Sequence, residues 1–257
     1  MYKQSIATTD FDAAKPLLRN ADLPYSVGMS ITREDLEQDR LRTILDNTPI
    51  ASALLSEAAL EASWRAALAS LPDPNGDVWL FGYGSLIWNP MVEHSERVPA
   101  KLYGYHRGFY LYSRINRGTW DNPGLVLGLD RGGSCQGVAF RIPAISIETE
   151  LKMLWRREML TGAYLPRWLP MQLKDKQGPR IKALAFVMNR QHESYSGRLP
   201  DLKVVSHLRD ACGLYGPARE YLRNTLEGLL KEGFHDPYLA RLWAQLQSSE
   251  HRPEVKK

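Results

Sequence analysis

Cysteine is nearly absent: Cys135 and Cys212 are the two in 257 residues, with no CxxC pair and no disulfide-like spacing. That excludes a small disulfide scaffold, and free thiols in a reducing compartment are expected. Long apolar runs are missing too. No stretch of about 18 apolar residues could cross a bilayer, and the first ten residues lack the apolar region of a signal peptide. A cytoplasmic protein without membrane insertion is expected. Charge of one sign is also lacking, since 33 Lys and Arg against 29 Asp and Glu leave a net +4 spread along the chain. Without a basic block or a reader motif, nucleic acid is not an expected partner, whereas a small anionic substrate fits a mildly basic surface.

Several catalytic patterns fail in turn. None of the six histidines stands in HExxH or another close ligand spacing, so no metal is expected; His106 and His207 read as packing or surface residues. The segment Gly82-Tyr83-Gly84-Ser85-Leu86-Ile87 has isoleucine where a dinucleotide fingerprint needs its third glycine, and no lysine follows to make a P-loop. Ser85 does not sit in GxSxG, which removes the nucleophile elbow.

What is present is a core-forming composition, 44% apolar with seven Trp and twelve Tyr, in a chain long enough for one domain with an appendage. Residues 1–30 carry Pro16, Pro24 and Gly28 without periodicity and read as an irregular or weakly helical arm. Thr32 is a candidate N-cap for a short helix with Leu36, Leu41, Ile44 and Leu45 on one face. Thr48-Pro49 reads as the next helix start, running to Ala69. The Pro- and Asp-rich stretch 71–77 is the clearest linker. The expected division is therefore a partly helical extension over 1–72, a main domain over 73–248 and a polar tail over 249–257. Beyond the linker, aromatic and β-branched segments at 97–105, 107–112, 125–129, 137–142 and 180–188 predict a mainly antiparallel curved sheet or barrel. A helix interrupts them, started by Pro143 and Ser146 and stopped before Gly162. The tail after Leu199 is helical, with Tyr221, Leu222, Leu226, Leu229 and Leu230 on one side of a run closed by Gly233.

Two features carry chemistry. Val78-Trp79-Leu80-Phe81 runs as a strand into a tyrosine flanked by Gly82 and Gly84, and the apolar character resumes at Leu86-Ile87-Trp88. Glycines there permit positive φ and remove the Cβ atoms that would keep a ligand from the amides. Taken alone, the loop reads more readily as a β-turn around a buried tyrosine. The second feature is a carboxylate: Ile147, Leu151 and Leu154 mark the buried stripe of the interrupting helix, and Glu158 is the next position on it. Burial raises a carboxyl's pKa toward the range of a general base, unless Arg156 or Arg157 lowers it; exposure at the helix end is the alternative.

Phe81-Gly82-Tyr83-Gly84-Ser85-Leu86-Ile87-Trp88-Asn89-Pro90, then Asn116-Arg117-Gly118-Thr119 with Pro123-Gly124, then Gly137-Val138-Ala139, then Leu154-Trp155-Arg156-Arg157-Glu158-Met159 together resemble a ChaC-type γ-glutamylcyclotransferase over about residues 75–245. The resemblance implies an α+β fold, a small mixed and mostly antiparallel β-barrel with flanking helices. It also implies cleavage of glutathione to 5-oxoproline and cysteinylglycine without metal or cofactor. By resemblance Glu158 is the base, Tyr83, Gly84, Ser85 and Leu86 are the backbone cradle for the γ-glutamyl group, and Tyr195 is a pocket tyrosine. The chain departs from the family where Thr119 is followed by Trp120-Asp121-Asn122 in place of Pro-Glu. Arg107, Arg114 and Arg117 are candidates for the glycine carboxylate, with solvated surface charge as the alternative for each. Two other readings stay open: the same lactam-forming reaction on other γ-glutamyl amines or dipeptides, and a non-catalytic γ-glutamyl-binding regulator of transport.

Overall fold

The computed structural model describes residues 31–48, 50–174 and 180–250, so the expected arm at 1–30, Pro49 and residues 251–257 lie outside the described residues. Five strands, β1 (Val78–Gly82), β2 (Glu96–Ser113), β3 (Gly124–Ile142), β4 (Tyr164–Leu173) and β5 (Ile181–Met188), close a barrel in the order β1-β3-β2-β4-β5. These neighbours pair antiparallel, while β5 meets β1 and β3 in parallel at Leu80↔Leu184 and Leu129↔Val187. This is the mainly antiparallel barrel that the segment pattern predicts, with the mixed pairing that the resemblance implies.

The strands differ from the expected segments in two ways. His106 separates 97–105 from 107–112 and Gly132-Gly133 lies between 125–129 and 137–142 in the sequence, yet each pair is one long strand. Gly104, at φ +86°, sits where the β2–β3 register shifts between Tyr103 and Tyr105, so it makes a bulge in the ladder rather than ending it. Strand β4 was not expected at all, because Pro166 and Pro170 break its pattern. Lying four residues apart, both prolines face the same edge as Lys174, whose N–H donates to Pro99 O of β2 at 2.8 Å. Along that edge β2 pairs only with residues 171–173, leaving the proline nitrogens no ladder bond to forfeit.

Helices close the barrel. Thr32 caps α1 (Arg33–Glu37) in a reciprocal box with Asp35, as its side chain suggests. The single helix expected next is split at Asp39 (φ +51°), so that α2 (Arg40–Asp46) is separate, but Leu36, Leu41 and Leu45 are buried as one face. The long helix does not begin at Pro49: a 3₁₀ turn at Ala51–Ala53 intervenes, and Ser56 caps α3 (Glu57–Ala69) by accepting from Ala59 N–H at 3.2 Å. Where the apolar character resumes, Ser85–Trp88 is a short helical turn, α4.

The helix carrying Glu158 is α5 (Ile147–Glu158), preceded by a 3₁₀ turn whose Ala144 N–H is capped by Asp77 at 2.8 Å. Its buried Trp155 donates to Ser63 of α3 at 3.0 Å. Next come α6 (Asp201–Asp210), a two-residue hairpin β6 (Cys212–Gly213) and β7 (Gly216–Pro217), α7 (Ala218–Lys231) and α8 (Pro237–Glu250). On α7, Tyr221, Leu222 and Leu229 are buried as expected, but Leu230 is 57% exposed: it has turned past the edge of the stripe. Gly233, at φ +69°, closes α7 with Phe234 N–H returning to Leu229 O at 2.9 Å. Among the described residues no helix is long and apolar enough to cross a membrane.

Candidate active site

A cavity of about 200 Å³ opens where α2, α4, the end of α5, α7 and the β2–β3 connection meet. Glu158 is its one carboxylate among the described lining residues, and no His, Cys or Lys lines it. The stripe on α5 explains how the acid arrives there: Ile147, Leu151 and Leu154 are 5%, 0% and 1% exposed and fix the helix against the barrel, so the next position on that face points inward. The Glu158 side chain retains 15% exposure, directed to the cavity. Burial raises its carboxyl above the ordinary glutamate range, and the charge and hydrogen bond of Arg157 oppose that rise without cancelling it.

Arg157 ties the acid to the glycine loop. Its guanidinium pairs with Glu158 Oε1 at 2.9 Å and donates to Ser85 Oγ at 2.9 Å and Asn89 O at 2.5 Å. Ser85 and Glu158 therefore line one cavity and share one cation. The other three loop residues, Tyr83, Gly84 and Leu86, are not among the residues that line the cavity. Tyr83 is buried and its hydroxyl donates to Phe186 O at 2.8 Å; burial holds its pKa well above 10. Leu86 is packed in the core. The positive φ expected of this loop is not found: Gly84 sits at φ −136°, and neither it nor Gly82 is left-handed. Glycine is required by crowding instead, because a Cβ on Gly84 would lie 2.5 Å from the Tyr221 hydroxyl. That hydroxyl accepts from the backbone N–H of Leu127, at 3.4 Å, and of Ser85, and burial pushes its pKa up to about 12. It stays a neutral phenol fixed beside the loop.

The three candidate arginines separate cleanly. Arg107 is 4% exposed at the side chain, pairs with Asp236 at 2.6 Å and donates to Tyr83 O at 2.8 Å, so it holds the loop from behind and does not line the cavity. Arg114 lines it, donating to Ser194 Oγ at 2.8 Å with its guanidinium over the half-exposed Trp120 ring at 4.9 Å. Arg117 lines it from a buried position, donating to the carbonyls of Tyr215 and Pro217 beside the rings of Trp88 and Tyr221. No carboxylate lies within ion-pair distance of Arg117 among the described residues, and burial lowers its pKa. Sequence reasoning grouped these three because nothing local distinguishes them.

Tyr195 is not brought into the cavity wall. Its hydroxyl donates to Asp130 at 2.7 Å and its ring lies against Tyr110, which fixes the turn carrying the lining residue Ser194. Burial and the Asp130 carboxylate push its pKa to about 12. Sequence reasoning also missed the lining residues Tyr164 and Tyr221; the hydroxyl of Tyr164 donates to Leu127 O at 2.9 Å, and only the fold brings these chain-distant tyrosines to the loop.

The sequence of residues 78–249 matches the family model described as "ChaC-like protein". The chain is 40% identical over 185 residues to the glutathione-specific gamma-glutamylcyclotransferase of Escherichia coli K12, spanning 72% of this chain and 79% of that one. It is 32% identical over 159 residues to the human glutathione-specific gamma-glutamylcyclotransferase 1, spanning 60% and 72%. A crystal structure of the glutathione-specific enzyme from yeast superposes with a TM-score of 0.63 at 21% identity, over 70% of this chain and all of that one, a likeness of fold. The barrel, the loop and the helix that ends in Glu158 all fall inside the matched segment, and the chain belongs to the ChaC-like family.

Proposed function

We propose that this protein cleaves glutathione to 5-oxoproline and cysteinylglycine, with Glu158 as the proton carrier. The observation that carries the reading is the pairing of a single cavity carboxylate with the glycine loop through Arg157. The names of the curated relatives supply the substrate.

The chemistry needs little more. Glu158 accepts a proton from the substrate's α-ammonium, and the freed amine attacks its own γ-carbonyl, forming the C–N bond of a five-membered ring. As the tetrahedral intermediate collapses, the old amide C–N bond breaks and Glu158 returns its proton to the leaving nitrogen. The ring nitrogen sheds a second proton, which completes the ammonium of cysteinylglycine. Because nucleophile and electrophile belong to one molecule, holding the chain folded supplies much of the acceleration, and a raised carboxyl pKa suits transfer in both directions. The backbone of Tyr83, Gly84, Ser85 and Leu86 cradles the γ-glutamyl group. Arg117, buried and without an acid partner among the described residues, receives the α-carboxylate, and Arg114 beside Trp120 receives the carboxylate of the leaving dipeptide. Free Cys135 and Cys212 suit the reducing cytoplasm in which glutathione is held as a thiol.

The test is release of 5-oxoproline from glutathione by purified protein with chelator present. Glu158→Gln, folded as judged by circular dichroism, is expected to lose about 10²- to 10⁴-fold in kcat. Wild-type turnover in that variant removes the base from the mechanism. Running a γ-glutamyl amino acid beside glutathione at equal concentration separates the narrow substrate reading from the broader one.

A further inference from the structure

The cavity is lined by both apolar and polar residues, and part of its apolar lining comes from outside the segment that matches the family. Ile31, Leu41, Leu45 and Ile50 all line the cavity and all precede residue 78, where the match begins. The side chains of all four are aliphatic. The loop side presents Ser85, Asn89, Arg117 and Tyr221.

This aliphatic wall is firmly attached beside the acid. Arg33 makes a two-pronged contact with the buried Glu150 of α5, at 2.8 and 3.1 Å. Arg156 donates to Leu36 O and Glu37 O at 2.9 and 3.0 Å, and Leu55 N–H donates to Leu160 O at 2.8 Å. Asn89, whose carbonyl receives Arg157, donates through Nδ2 to Ile31 O at 3.3 Å. The wall thus runs from Ile31 to Leu160, two residues beyond Glu158.

We infer that the segment from Ile31 to Ile50 forms the subsite for the side chain of the leaving fragment and selects γ-glutamyl substrates in which that side chain is apolar or a thiol or thioether rather than hydroxylated or charged. The inference rests on the function proposed above. Glu158 hands its proton to the leaving nitrogen, so the leaving fragment lies on Glu158's side of the cavity, whose lining includes Leu160, Leu41, Leu45 and Ile50, with Thr161 as the polar neighbour of Leu160. A cysteinyl CH₂–SH, or an ethyl group of the same shape, buries there at no hydrogen-bonding cost. A hydroxymethyl group loses water and finds no partner on an aliphatic wall.

The probes are three tripeptides that differ only at the central side chain: glutathione, γ-glutamyl-2-aminobutyryl-glycine and γ-glutamyl-seryl-glycine. The wild-type full chain is expected to favour the first two over the seryl compound by about tenfold in kcat/KM. Ile31→Thr and Ile50→Thr, at half-buried positions where the fold tolerates a hydroxyl, are expected to reduce that preference to roughly twofold or less, while the pH at which kcat/KM half-falls stays at its wild-type value. A purely structural role for the segment would lower all three rates together. Calorimetric binding of the aminobutyryl and seryl compounds to Glu158→Gln reports the same preference without turnover. Equal binding of the two overturns the inference even where 5-oxoproline forms, whereas absent 5-oxoproline with unequal binding overturns the proposed reaction and leaves the subsite standing.

Discussion

Gly84→Ala, made alone and with Tyr221→Phe, tests whether the glycine loop is shaped by crowding. A Cβ at position 84 would lie 2.5 Å from the Tyr221 hydroxyl oxygen but 3.6 Å from the ring carbon that bears it, an ordinary contact. Tyr221 is 6% exposed, so its oxygen has nowhere to withdraw, and the added methyl overpacks the site at a cost of about 1–3 kcal/mol. Tyr221→Phe alone strands the N–H groups of Ser85 and Leu127, at a comparable cost of about 1–3 kcal/mol. In the double variant the methyl occupies space the oxygen has left. Its destabilisation should match Tyr221→Phe by itself, giving a coupling of about 1–3 kcal/mol in the double-mutant cycle. Urea titration of the four proteins, with unchanged slope, measures it. Additivity to within about 0.5 kcal/mol would refute the crowding argument.

Two further outcomes follow from the acid and the N-terminal helices. Glu158 has a raised pKa in the fold, so the native state keeps a proton that the unfolded chain gives up earlier; its favourable contribution is complete below the unfolded pKa and is lost as pH rises through the folded one. Glu158→Gln should therefore unfold at a higher temperature than wild type at about pH 8 and draw level near about pH 4, while wild-type kcat/KM falls on acidification at a pH above the ordinary glutamate value of about 4.3. A stability difference that grows toward acid contradicts the sign. Arg33→Ala leaves Glu150, 1% exposed at the side chain, with the Glu93 N–H at 3.0 Å as its remaining donor. A loss of about 2–4 kcal/mol is expected, below the full cost of breaking a buried pair because Arg33 is itself 31% exposed. Adding Glu150→Gln should recover part of it in the same urea titration.

The parts legible in the sequence were those governed by neighbours a few residues away. The 3.6-residue period placed Glu158 on the stripe of Ile147, Leu151 and Leu154, and Thr32 announced the cap that Asp35 completes in the fold. What escaped depends on distant partners. Arg107 and Arg117 look alike until Asp236, 129 positions away, claims the first and leaves the second facing the cavity. The strand with Pro166 and Pro170 reads as a loop until β2 is seen to leave their edge unpaired. The loop's glycines read as permitting positive φ, whereas the oxygen that demands Gly84 belongs to Tyr221, on a helix far along the chain. The extension showed only its helices, because the Arg33–Glu150 contact that seats it spans 117 positions.

The long β2–β3 hairpin has a consequence for the order in which function appears. Its ladder starts at Ser113↔Gly124 and runs outward to Glu96↔Arg141, so each pair closes beside one already formed, and the turn that carries Arg114 and Arg117 forms before their partners Ser194, Tyr215 and Pro217 are reached. The acid meets the loop only through contacts such as Arg157 to Ser85, 72 positions apart, which carry a larger entropic cost of closure. A refolding chain should therefore protect hairpin amides from hydrogen exchange before it recovers any turnover. A nascent copy that has emerged as far as β3 would already expose cationic groups for an anion yet have no base with which to consume it.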